Sequence, residues 1–175
     1  MISRFTLCAA AATFALSAAA AAHAAPPPND AQIAHIAYTA GQIDVAAGKQ
    51  ALAKSHNKAV RSFAQVMVRD HNAVNDQALA LVKKLGVTPQ ANGTSASLAA
   101  AAKRKARELS MLKGAAFDRA YVRNEVAYHR TVNGALSGTL IPNAHNAELK
   151  GLLETGLSLF REHQMHAEQL AKSVR

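Results

Sequence analysis

Val60-Arg-Ser-Phe-Ala-Gln-Val-Met-Val-Arg-Asp-His71 runs on to Gly86 without a proline or a turn signal. Val60, Ala64, Met67, His71, Val74, Ala78, Leu81 and Leu85 recur every three or four residues, the spacing of one face of an α-helix. Gly86 ends the run as a natural C-cap, and Val87-Thr88-Pro89 follows it. One ionisable side chain, His71, stands in a stripe that is otherwise apolar.

The same period continues on both sides. Upstream, a helix is predicted from about Ala31 to Lys54, with Asp30 as N-cap and Asp44 in the middle of its apolar stripe. Downstream, a turn-rich segment from Pro89 to Ser97 leads into a short basic helix, about Leu98 to Leu112. A third long helix is predicted over Ala115–Leu140, with Val122, Glu125, His129, Val132 and Leu136 on one stripe. The last starts after Pro142-Asn143 and carries Leu149, Leu152, Gly156, Leu159, His163, His166 and Leu170. No segment alternates as a strand does. Short connections near Ser55 and Pro142 imply two antiparallel hairpins, and the long middle connection implies a crossover along the bundle. The expected fold is all-α: a ferritin-like up-down four-helix bundle with a long crossover carrying a short extra helix.

Composition agrees. Of 175 residues, 50% are apolar but only 5% are aromatic, and alanine fills the difference. The single cysteine, Cys8, excludes an intrachain disulfide framework and a cysteine-based zinc site. Residues 1–25 read as a signal peptide: Arg4, an apolar stretch from Phe5 to Ala22, and small residues at Ala22-His23-Ala24 before Pro26. Residues 26–175 are the bundle domain. Cleavage would remove Cys8 and Arg4, taking the formal charge from +9 to +8. The expected location is periplasmic or otherwise exported, with no transmembrane span after cleavage.

The chemistry lies in the polar residues of the apolar stripes. Asp44, His71, Glu125, His129 and His163 come from four different helices, and Asp70 and Glu162 precede two of the histidines. Imidazoles and carboxylates converging in a bundle suit iron, manganese, copper or zinc. The usual di-metal fingerprint includes Glu-x-x-His on two helices, whereas this chain has Glu125-x-x-x-His129 and no Glu-x-x-His. Counting from the Pro142 turn places His163 about nine residues, or roughly 13 Å, beyond the level of His71 and His129. One site joining all three therefore requires a staggered last helix. Two smaller clusters, or hydrogen-bonded pairs such as Asp44–His71 and Glu125–His163, satisfy the same residues.

Lys103, Arg104, Lys105 and Arg107 form a basic patch on the crossover helix. An alternative function follows from it: a non-enzymatic envelope protein engaging anionic lipid, lipopolysaccharide or cell-wall polymer. Nucleic acid is disfavoured, because no aromatics interleave with the basic residues. Neither a Gly-x-Ser-x-Gly elbow nor a phosphate-binding loop occurs.

Gly41-Gln-Ile-Asp-Val-Ala-Ala-Gly-Lys49, Val60 to His71, Gly114-Ala-Ala-Phe-Asp-Arg-Ala-Tyr121, Val126-Ala-Tyr-His129 and Leu159-Phe-Arg-Glu-His163 together resemble the bacterial domain-of-unknown-function family 4142. The resemblance covers nearly all of residues 30–172 and implies an exported, ferritin-like four-helix bundle. It implies no activity. It also implies a Glu where this chain has Asp44, and an Asp where it has Tyr128.

Overall fold

A computed structural model describes residues 26–174, and every regular element among them is helical. The signal peptide expected at residues 1–25 lies outside the described residues. Helix α1 is Asp30–Lys54, α2 Lys58–Lys84, α3 Gly93–Ser110 and α4 Gly114–Ala135. The chain then makes a π-helical turn, Leu136–Leu140, and a short helix, α5, Ile141–Asn143, before α6, Ala147–Ser173. The four long helices, α1, α2, α4 and α6, form the bundle. No described helix is long and apolar enough to cross a membrane.

Local chemistry sets the helix ends, with one correction to the expectation. Asn29, not Asp30, caps α1: its side chain accepts from the Gln32 backbone N–H while the Gln32 side chain accepts from Asn29. The Asp30 carboxylate instead accepts from the backbone N–H groups of His145 (2.8 Å) and Asn146 (2.9 Å), which ties the start of α1 to the start of α6. Asn57, Asn92 and Asn146 cap α2, α3 and α6. Gly86, at φ 65°, provides the left-handed turn that ends α2.

The extra helix α3 runs along the outside of α1 as the crossover. Gln90 N–H donates to Ala31 O (3.0 Å) at one end, and Lys54 Nζ donates to Ser110 O (2.8 Å) at the other. It buries only Ser95 and Leu109, so its basic residues face solvent.

The third helix differs from the expected single run to Leu140. Pro142 lacks the N–H that an α-helix would bond to Gly138, and its ring would meet that carbonyl. The chain widens instead, and Ile141 N–H reaches back to Leu136 O. The last helix then begins at Ala147, later than the proline break suggests.

Two apolar cores fill the bundle. Phe63, Met67, Phe117, Tyr121 and Val122 belong to the one nearer Ser55. Ile33, Leu136, Leu149, Leu153 and Phe160 belong to the one nearer Pro142. Each fully buried side chain of this size stabilises the fold by about 1.5–3 kcal/mol. Between the two cores lies a polar layer.

Candidate metal centre

Asp44, His71, Glu125, His129 and His163 make up that layer. They are 1%, 2%, 0%, 0% and 3% exposed. Asp44 comes from α1, His71 from α2, Glu125 and His129 from α4, and His163 from α6. Asp44 lies 14 residues past the start of α1, His71 13 before the end of α2, His129 13 before Pro142 and His163 16 past the start of α6, so these four share one level, with Glu125 one turn away on α4. The expected offset of His163 does not occur. The turn at Ala144–Asn146 uses chain without travel along the bundle, and α6 starts late enough to bring His163 alongside its partners.

The three imidazoles form a nearly equilateral triangle. Ring centroids are 5.7 Å apart for His71–His129, 5.3 Å for His71–His163 and 5.6 Å for His129–His163. Phe160 stacks under His71 at 4.4 Å. One nitrogen from each imidazole lies within 4.8 Å of the others, and the same holds for one donor each of Asp44, Glu125 and His129. These two triads share His129.

Asp44 Oδ2 stands 3.2 Å from His71 Nε2 and 3.5 Å from His129 Nε2. None of the three atoms completes a hydrogen bond. Two donors bound at about 2.1 Å to one ion are about 3.0 Å apart at a right angle and about 3.4 Å apart in a tetrahedron. The observed 3.2 and 3.5 Å spacings fall in the range that a shared cation would allow. Leaving such groups buried and unpaired is costly. Of the structural pairs expected from sequence, Asp44 and His71 do approach each other, without hydrogen-bond alignment. Glu125–His163 does not form: Asn124 Nδ2 donates to Glu125 Oε1 (3.4 Å), and His163 turns to Asp70.

Neighbouring groups orient the rings. His129 Nδ1 lies 3.0 Å from the Glu125 backbone carbonyl, so its N–H donates there and the Nε2 lone pair faces the layer. His163 Nε2 lies 3.0 Å from Asp70 Oδ2 and donates to it, leaving the buried Nδ1 free as a lone pair. Arg69 Nε donates to the other Asp70 oxygen at 2.6 Å. Adjacency to His71 marked Asp70 in the sequence but hid its role: neighbours on a helix are about 100° apart, so Asp70 faces α6 while His71 faces the centre.

Burial sets the protonation states. It holds the His71 imidazole down at about 4, and His129 and His163 push the same way against the pull of Asp44. Burial also lowers His163, although its bond to Asp70 opposes this. Both rings are thus in the neutral, ligating form at pH 7. Burial raises Glu125 well above the carboxylate range, and the Asp44 carboxylate beside it adds to the rise. Burial pulls Asp70 upward too, but hydrogen bonds from Arg69 and His163 outweigh it and keep Asp70 below its ordinary value.

The family described as Domain of unknown function (DUF4142) matches residues 15–170. The chain belongs to this family. No curated protein and no solved structure matches it. DUF4142 membership brings no activity with it, so the chemistry must be read from the polar layer. Where the resemblance implies Asp, Tyr128 donates its hydroxyl to Ala40 O at 2.9 Å, clasping α4 to α1 beside Asp44.

Proposed function

We propose that this DUF4142 protein is an exported, ferritin-like bundle that holds one transition-metal ion between its four long helices. His129, which belongs to both triads, is the central ligand, with His71 and His163 on one side and Asp44 and Glu125 on the other. The observation that carries this reading is the single Asp44 oxygen set close to two imidazole nitrogens with no hydrogen bond to either. Three imidazoles with carboxylates suit Fe(II), Mn(II), Cu(II) or Zn(II), whereas calcium and magnesium prefer all-oxygen sites and Cu(I) prefers sulfur. Burial of every donor fits holding or buffering an ion.

Metal-free protein titrated with each of these four ions should retain one equivalent of at least one ion and melt at a higher temperature. The His71→Ala/His129→Ala variant should lose both effects. Unchanged metal affinity in that variant would falsify the assignment.

The exposed basic face of α3 supports a second reading, in which the same protein engages anionic lipid, lipopolysaccharide or cell-wall polymer. Of its four basic side chains, Lys105 is paired with Glu108. Binding to anionic vesicles at low ionic strength, weakened by neutralising Lys103, Arg104 and Arg107, is the expected result. An absence of binding at low salt removes this reading without touching the first.

A further inference from the structure

On the Pro142 side of the polar layer the bundle holds a cavity of about 460 Å³, partly open to solvent and bounded by all four long helices and the start of α3. Small side chains create the space. Ala34, Ala37, Ala40 and Gly41 face it from α1, and Gly156 faces it from α6. In the other core, aromatic residues fill the corresponding volume.

Shape and chemistry restrict what fits. The α6 wall extends from Leu149 to Phe160, roughly 16 Å, and the α2 wall from Val74 to Val82, roughly 12 Å. The cavity is therefore a slot parallel to the helices. No charged residue lines it, and the rim at α3 and α4 carries the hydroxyls of Thr94, Ser97 and Thr131. Asn75, 3% exposed, is the one fully buried polar side chain of the lining, and its Nδ2 has no hydrogen-bond partner. A Cβ at Gly41 would collide with the Asn75 amide, so the glycine keeps that amide in place.

Each feature selects one property of a ligand. Apolar walls take a hydrocarbon body, and the slot's length takes a chain. The lack of any charge in the lining excludes an ionic head, because no counter-charge would repay its desolvation. A buried donor without a partner calls for an oxygen acceptor. We infer that this slot binds one uncharged straight-chain amphiphile of about eight to twelve carbons, whose hydroxyl or carbonyl oxygen accepts from Asn75. The site rests on the cavity and Asn75, and stands whether or not the neighbouring layer holds an ion.

The test is native mass spectrometry and calorimetry on the full chain, with 1-decanol, decanoate and decyltrimethylammonium as probes. The expected result is one 1-decanol per chain, bound at least tenfold more tightly than either charged chain. Asn75→Leu should weaken 1-decanol binding about tenfold while leaving the size of the slot nearly unchanged. Ala78→Leu adds bulk to the lining from a half-buried position and should abolish binding, so it carries the test if Asn75→Leu does not fold. Three results would overturn the inference: no saturable binding of 1-decanol to the folded protein, equal or tighter binding of a charged probe, or binding that a folded Ala78→Leu variant leaves intact.

Discussion

Asp70 Oδ2 lies 3.0 Å from His163 Nε2, linking α2 to α6 at the edge of the polar layer. Asp70 is half-buried, and Arg69 grips its other oxygen from the solvent side. Two consecutive residues of α2 thus serve the layer differently. His71 points a donor atom inward, and Asp70 fixes the ring of a histidine from another helix.

Asp70→Ala should lower metal affinity by about 10–100-fold, the usual loss when a carboxylate that orients a ligating imidazole is removed. His163→Ala should produce a similar loss, and combining the two should add little. Competition titrations against a chromogenic chelator read all three variants. Full additivity of the two losses would show that Asp70 does not act through His163.

Asp44→Asn should abolish stoichiometric metal retention, because the neutral amide offers a far weaker ligand at the atom that faces both imidazoles. Asp44→Glu, one methylene longer, should retain the ion within about tenfold. Elemental analysis after gel filtration distinguishes them. Loss of metal in Asp44→Glu equal to that in Asp44→Asn would argue against a ligating carboxylate at this position.

The metal-free protein should show two opposing pH slopes. His71 faces Asp44 on α1, His129 on α4 and His163 on α6, with Asp70 beside it on α2. The unfolded chain protonates His71 near 6.5, but the folded protein resists until about 4. Acidification through that window therefore favours the unfolded state, by about 3 kcal/mol in full. Glu125 acts in reverse: the folded protein keeps its proton above the ordinary range, so stability falls as pH rises past about 4.5. Glu125→Gln removes that second slope. With chelator present, denaturant titrations from pH 4.5 to 7.5 should find the variant more stable than wild type at neutral pH and more steeply weakened by acid.

Gly48→Leu should destabilise the bundle by about 1–3 kcal/mol. A Cβ at Gly48 would stand 2.8 Å from Val68 Cγ2 and 3.1 Å from the Ala64 backbone carbonyl, so α1 and α2 touch there without room for a side chain. A better helix former thus weakens the protein. Thermal melts check the sign.

Much of this molecule was legible in one dimension. The three- and four-residue spacing of Val60, Met67, His71 and Val74 marks a helix and its buried face, and the five ionisable residues stood out because a core stripe does not ordinarily carry them. The lengths of the connections gave the two hairpins and the crossover. The level of His163 was not legible, because residue counting treats a turn as a point. Ala144–Asn146 occupies chain that adds no height, and the π-helical turn before Pro142 changes the rise locally. Nor could a linear reading find the partnership of Asp70 with His163 or the slot beside Asn75. Both depend on which helices are neighbours, and periodicity within one helix carries no information about that.

The five donors reach the polar layer from four chain segments spread between residues 44 and 163, and all are at most 3% exposed. An ion held among them would be knotted into the fold more than placed in a pocket. Its departure would require helices to part at mid-length, so its residence time would follow how often the bundle breathes and depend little on the strength of any single bond. Such a protein would surrender its cargo slowly to a competing chelator, however strong, and quickly once its helices were loosened.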